Sequence, residues 1–341
     1  MRRYDMMDLP RGRLETFWIS SAALTGNLLG DSLNRQVTVW IPAGHDGAGL
    51  PLLVDLVGYT AGGPVHANWK NHGESVPERL DRLVATGAMK PAVVAFPDCF
   101  GRLGGNQYVN SPAMGRWEDF LTGEMLPAVE SRFGCGGAGR RGVFGKSSGG
   151  YGALYHGLRH GGSVWNAVAC HSGDMDFAML YSQAEFGGVL RTLGRHGFDP
   201  AAFVDAFWAS PKPADKDWHA MMFLAQAASF DPDTAARYGL RLPVTTDLCE
   251  HIADRWANWL KFDPLSLVEE AACQQNLKNL TALFIDCGDI DQYNLVYGAR
   301  KLTRRLTALG IAHRYEEFPD THSGIDYRMD ISLPFLAAAL S

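Results

Sequence analysis

No cysteine sits at a spacing that would hold a metal or mark a disulfide framework. The six cysteines, Cys99, Cys135, Cys170, Cys249, Cys273 and Cys287, are scattered over 341 residues without a single C-x-x-C. That pattern argues against zinc ligation and for buried thiols in a reducing compartment, so the cytoplasm is the expected location. No apolar run approaches the length of a transmembrane helix, and Met1 to Asp8 lacks the uninterrupted apolar core of a signal peptide. Charge is sparse too: 20% of residues are charged, the net charge is −6, and there is no long basic block. Nucleic acid or an anionic membrane surface is therefore not expected as a main partner. Internal repeats and low-complexity segments are also missing. What is present, 46% hydrophobic residues, suffices for one large domain or a domain with an insertion.

Along the chain, strands and helices alternate. Residues 35–42 read as a half-exposed strand, and residues 50–58 as a nearly continuous apolar, central one. A helix ends near Gly87, Ala92 to Phe96 form the next buried strand, and residues 117–133 have helical spacing. Further strands are expected at residues 141–144, 166–170, 282–286 and 312–318, with helices at 293–309 and 327–340. This rhythm predicts a mostly parallel sheet covered on both faces. Residues 174–275 interrupt it with helix formers and aromatics, among them Phe203, Phe207, Trp208, Trp218, Phe223, Trp256 and Trp259. The pairs Asp199-Pro200, Asp231-Pro232 and Asp263-Pro264 read as helix starts. The division expected is a core of residues 1–173 and 276–341 carrying a helical cap at 174–275, a layer packed on the side being the alternative.

The most informative stretch is Gly145-Lys146-Ser147-Ser148-Gly149, which follows a strand and opens a helix. G-x-S-x-G in that setting is the form of a nucleophile elbow, a tight turn that holds a serine hydroxyl above the end of a sheet. The glycines two before and two after Ser147 lie where strand and helix backbones nearly touch. Centring the motif on Ser148 would put Lys146 at a glycine position, so Ser147 is the better nucleophile. Two rival motifs fail. A phosphate-binding loop ending in Gly145-Lys146-Ser147 would need glycine at Arg140, and the G-x-G-x-x-G at residues 137–142 precedes its strand instead of following one.

A serine needs a base, and the base needs an orienting acid. The expected chain order is serine, acid, histidine. Asp291 is the last acid before the helix expected at Tyr293, Asp289 is the runner-up, and Asp286 falls inside the strand; the competing reading of Asp291 is a helix cap. His322 lies in the loop after the final strand and satisfies order and position together. His156 and His160 share a helical face but lack the glutamate of H-E-x-x-H. Backbone N–H groups of Ser148 and Tyr59, the latter in the glycine-containing loop after the central strand, are the expected oxyanion donors.

These pieces resemble the esterase D / enterochelin esterase-like branch of the α/β hydrolases. The similarity extends to residues 37–42, Val57-Gly58-Tyr59, Phe96-Pro97-Asp98, residues 124–130, 145–154, 288–293 and 318–323, in the family's order. The chain departs at Val57, Lys146 and Ser148, where many members of the family carry histidine, histidine and methionine; these differences tell against the S-formylglutathione and siderophore-ester subgroups and leave the triad residues untouched. The resemblance implies the α/β-hydrolase fold and ester hydrolysis through Ser147, Asp291 and His322, with Tyr59 as an oxyanion donor. The partner implied is a small-molecule ester, with no metal or organic cofactor. Acyl transfer with the same triad and non-catalytic binding on the same fold are the alternatives, and homo-oligomerisation is left open.

Overall fold

The computed structural model describes residues 8–70 and 72–341. The reading on Met1 to Asp8 therefore lies, apart from Asp8, outside the described residues. Among the described residues there are ten strands: β1 (Arg13–Ser20), β2 (Asn34–Ile41), β3 (Leu52–Leu56), β4 (Val93–Pro97), β5 (Asn110–Ser111), β6 (Gly115–Arg116), β7 (Arg141–Lys146), β8 (Ala167–His171), β9 (Ala282–Gly288) and β10 (Arg314–Phe318). Eight of them form one sheet in the order β1-β2-β4-β3-β7-β8-β9-β10, and β5 and β6 pair separately. The β2 strand is antiparallel to both of its neighbours, and every pairing from β4 to β10 is parallel. This is the mostly parallel sheet of an α/β-hydrolase fold.

Alternation along the central strands assigns side chains to two faces. Leu53, Phe144, Ala169 and Phe284 point to a core built with the helices Val76–Ala85 and Met329–Ala339. Val54, Leu56, Val143, Val168, Cys170 and Ile285 point to the other, larger core, against the helix Ser148–His160. At roughly 1.5–3 kcal/mol for each large apolar side chain buried, these two layers supply the main driving force for the sheet. All six cysteines are free, five of them buried. No helix among the described residues is long and apolar enough to cross a membrane.

The chain between β8 and β9 is helical. Its rings form a dense cluster, with Phe186–Phe223 at 4.9 Å, Phe177–Phe230 at 5.1 Å and Tyr181–Trp259 at 5.2 Å. Tyr151 of the helix after β7 joins that cluster, 5.9 Å from Phe230, so one apolar core runs through both segments. Phe203, Phe207, Phe223 and Trp259 are core residues, whereas Trp208 is exposed.

Several local expectations need correction. Asp199 and Asp263 do cap helices, each accepting a backbone N–H. Asp231 instead ends the helix Asp215–Phe230, because Arg241 and Asn258 bind its carboxylate and hold the chain in a turn. Residues 117–133 pass through a wide π-helical stretch at Phe120–Met125. The helix expected from Tyr293 starts at Leu295, after Asn294 in a left-handed conformation. The edge strand β1 is an addition to the sequence reading.

A buried ionic network ties β9 to the last helices. Asp286 receives the Arg328 Nε–H at 2.8 Å and pairs with His171 Nδ1 at 2.7 Å, and Arg328 also reaches Glu316. Asp286 is fully buried, so removing its cation leaves a charge without compensation. Arg328→Met is expected to lower unfolding free energy by about 3 kcal/mol, measured by denaturant titration; a loss below about 1 kcal/mol would mean the network is structurally idle.

Candidate active site

The strand β7 delivers Ser147 into the turn before the helix Ser148–His160, with φ 58° and ψ −125°. A non-glycine residue in such a region stores about 1–3 kcal/mol of strain. The surroundings enforce it. A Cβ on Gly145 would lie 2.3 Å from the Leu56 carbonyl oxygen, and one on Gly149 only 1.7 Å from the same atom. With glycine at both positions the helix backbone can settle against β3, and the chain must turn sharply at Ser147 to get there. The Ser147 N–H donates to the His171 carbonyl at 2.9 Å, which fixes the turn to β8.

On the neighbouring strand ends stand the other two candidates. The loop after β9 carries Asp291, whose side chain is fully buried, and the loop after β10 carries His322. Asp291 Oδ2 meets His322 Nδ1 at 2.8 Å. The second oxygen, Oδ1, accepts the Tyr293 N–H at 2.8 Å, so the carboxylate orients the imidazole and closes a turn at once. The side-chain oxygen of Gln292 accepts the His322 backbone N–H at 2.9 Å. Asp289 is exposed and stands outside this arrangement. Ser147 and His322 line one cavity, and no hydrogen bond joins them in this structure; such contacts commonly tighten on substrate binding.

A second serine–histidine–aspartate set has shorter contacts. His171 Nδ1 meets Asp286 at 2.7 Å, and the Ser332 hydroxyl lies 2.8 Å from His171 Nε2. All three side chains are at most 2% exposed. No substrate can reach Ser332, so this set is a structural joint between β8, β9 and the last helix.

The loop after β3 flanks the elbow. A Cβ on Gly58 would fall 3.5 Å from Ser147 Cβ, which places the Gly58–Tyr59 loop beside Ser147. The Tyr59 hydroxyl donates to the Leu103 carbonyl at 2.6 Å, and the Thr60 N–H donates to the Gly104 carbonyl at 2.9 Å, anchoring the loop. Ser148 opens its helix, so its N–H has no intrahelical acceptor and lies at the positive end of the dipole. Its hydroxyl is engaged by Gln107 Nε2 at 3.1 Å.

The cavity encloses about 520 Å³ and takes residues from both the sheet ends and the helical segment. Asp174, just beyond β8, lines it and accepts the Tyr181 hydroxyl at 2.9 Å. Burial raises the Asp174 carboxyl above the ordinary range, against the pull of that hydroxyl and of His322. Lys146 also lines the cavity, and burial lowers its ammonium from the ordinary value, against Asp326 and Asp291. Asp174, Gln292 and Gln226 escaped the sequence reading. Gln226 could have been found from the i, i+3, i+4 pattern of its helix; Asp174 and Gln292 carry no local signal. His156 and His160 spend their nitrogens elsewhere: His156 on the Tyr108 carbonyl and the Trp165 N–H, His160 on Glu118.

The family model described as "Putative esterase" matches residues 31–332. The chain belongs to that family. It is a carboxylesterase-type hydrolase on the α/β-hydrolase fold. A solved ferulic acid esterase is similar over 96% of this chain and 99% of its own, at 20% identity and a TM-score of 0.63. The S-formylglutathione hydrolase of Agrobacterium tumefaciens is similar over 97% of each chain, at 18% identity and a TM-score of 0.59. The fluorophosphonate-binding serine hydrolase F of Staphylococcus aureus covers 96% of this chain and 99% of its own, at 13% identity and a TM-score of 0.59. At these identities the likeness is one of fold. None of the curated proteins matches the chain in sequence.

For this esterase the elbow glycines give an opposed pair of expectations. Gly149→Ala forces a Cβ into the Leu56 carbonyl and should abolish turnover and cooperative unfolding together. Gly123→Ala, in a helical stretch with nothing within 4 Å, should be neutral or stabilising by up to about 1 kcal/mol. Thermal melts decide; a Gly149→Ala variant with native Tm and turnover would refute the close-approach argument.

Proposed function

We propose that this esterase hydrolyses carboxylic esters through Ser147, His322 and Asp291 by way of an acyl-enzyme. One observation carries the reading: the strained Ser147 turn opens on a cavity shared with a histidine whose Nδ1 is held by a buried aspartate. His322 Nε2 takes the Ser147 proton as Oγ attacks the acyl carbon, and Asp291 holds the resulting imidazolium through Nδ1–H. Negative charge developing on the former carbonyl oxygen is met by the N–H groups of Tyr59 and Ser148. As the tetrahedral intermediate collapses, His322 returns the proton to the departing alcohol oxygen. Water, deprotonated by the same imidazole, then attacks the acyl-serine and releases the carboxylic acid.

Every group this scheme needs comes from the chain itself, and no metal or organic cofactor enters it. The helical segment is read as a cap, since its residues share the cavity with Ser147. The free cysteines are in keeping with a reducing, cytoplasmic setting. Two of the fold neighbours are themselves named as an esterase and a hydrolase.

Steady-state kinetics on a p-nitrophenyl acetate assay test the assignment. Ser147→Ala and His322→Ala should each lower kcat by about 10³-fold or more, with the double variant no worse than either single one. Asp291→Asn should also lose most turnover, while Asp289→Asn should leave it within about twofold. Folded Ser147→Ala protein that turns over at the parent rate would mean the nucleophile is elsewhere.

A further inference from the structure

The chain leaves β8 tightly packed against the elbow. A Cβ on Gly173 would lie 2.7 Å from the Tyr151 nitrogen and 2.8 Å from the Gly150 carbonyl carbon, both in the first turn of the helix after Ser147. The next residue, Asp174, is thereby held at the catalytic end of the cavity, on a wall it shares with Ser147 and His322. Its side chain is half-buried, and its carboxyl feels the charges of both His322 and Asp291.

Only one of the two Asp174 oxygens is engaged. Oδ2 accepts the Tyr181 hydroxyl at 2.9 Å. Oδ1 meets no donor among the described residues and is not sealed off, so it is open to a ligand in the cavity. No lysine or arginine among the described residues pairs with this carboxyl. Lys146, which also lines the cavity, is faced instead by Asp326 and Asp291. An asparagine would accept the Tyr181 hydroxyl equally well, so the fold makes no use of the negative charge. Burial raises the Asp174 carboxyl above its ordinary range, as expected of a carboxylate lacking a counter-ion in a partly desolvated site.

We propose that Asp174 is a specificity-determining residue that binds an ammonium group carried close to the ester bond of the substrate, in its acyl or its alcohol half. The proposal rests on the ester-hydrolase reading given above. An ammonium N–H donates to the open Oδ1, and its charge compensates the carboxylate, which makes the bond stronger than one from a neutral donor. A divalent metal ion would ask for several oxygens where one is open. Glu185 and Asp215, the other acids of the wall, are exposed and do not oppose the entry of a cation. A substrate carboxylate at the same place would face Asp174 directly.

The test uses two pairs of esters in which an ammonium replaces a methyl group of the same size. The acyl pair is methyl 3-aminopropanoate and methyl butanoate; the alcohol pair is 3-(aminomethyl)phenyl acetate and 3-ethylphenyl acetate. Each kcat/KM is divided by the rate constant for hydroxide hydrolysis, which removes the inductive effect of the charge. In the parent protein the ammonium ester of at least one pair should be favoured by about tenfold, and the pair that shows it identifies the half that Asp174 binds. In Asp174→Asn, which keeps the volume and the acceptor for Tyr181, that ratio should fall to about one, chiefly through loss on the ammonium ester. Asp174→Ser serves where the asparagine variant does not fold. Ratios near one for both pairs in the parent, or a preference that survives in the folded variants, overturn the role of Asp174. If p-nitrophenyl acetate is still hydrolysed in a Ser147-dependent manner in that case, the esterase reading stands; if folded parent protein hydrolyses no ester, the esterase reading fails and the proposal falls with it.

Discussion

One close approach governs this molecule: the carbonyl oxygen of Leu56, at the end of β3, against the backbone at Gly145 and Gly149. Two main chains lie so near each other there that no side-chain carbon fits between them. The helix after β7 can therefore start directly over the sheet, and the short chain joining strand to helix must turn through Ser147 at φ 58° and ψ −125°. From that follow the exposure of the Ser147 hydroxyl, the placement of the Ser148 N–H at a helix start, and the proximity of the Gly58–Tyr59 loop. A change elsewhere in the core can be absorbed by repacking; a change here has nowhere to go.

The same sheet edge shows why hydrogen-bond geometry by itself is a poor guide to chemistry. Ser332, His171 and Asp286 satisfy the distances of a catalytic triad, yet they are sealed within the protein and brace its frame. His322 and Asp291 sit in the loops after β10 and β9, and His322 reaches the cavity. Access separates the two sets. The frame also serves the site, because the carbonyl of His171 receives the Ser147 N–H.

Much of this was legible in the residues because it depends on local rules. The glycine spacing around Ser147 reflects a backbone contact that any sequence with this turn must respect. Strand and helix alternation gave the parallel sheet, and chain order singled out Asp291 and His322. Three things were out of reach for physical reasons. Asp231 looks like a helix start until Arg241 and Asn258, both distant in sequence at the level of local propensity, claim its carboxylate. The helix expected at Tyr293 is delayed because Asp291 uses its spare oxygen on the Tyr293 N–H, a consequence of its place beside His322. Asp174 shares the cavity with residues as far along the chain as Met222 and His322, a tertiary arrangement with no signature in the residues around it.

Covalent mapping tests the proposal that Ser147 carries the reactive hydroxyl. A fluorophosphonate probe should give one stoichiometric adduct, with fragment ions placing the added mass on Ser147 and leaving Ser148 and Ser332 unmodified. An adduct on another residue, or none at all on a folded sample that hydrolyses esters, would contradict it.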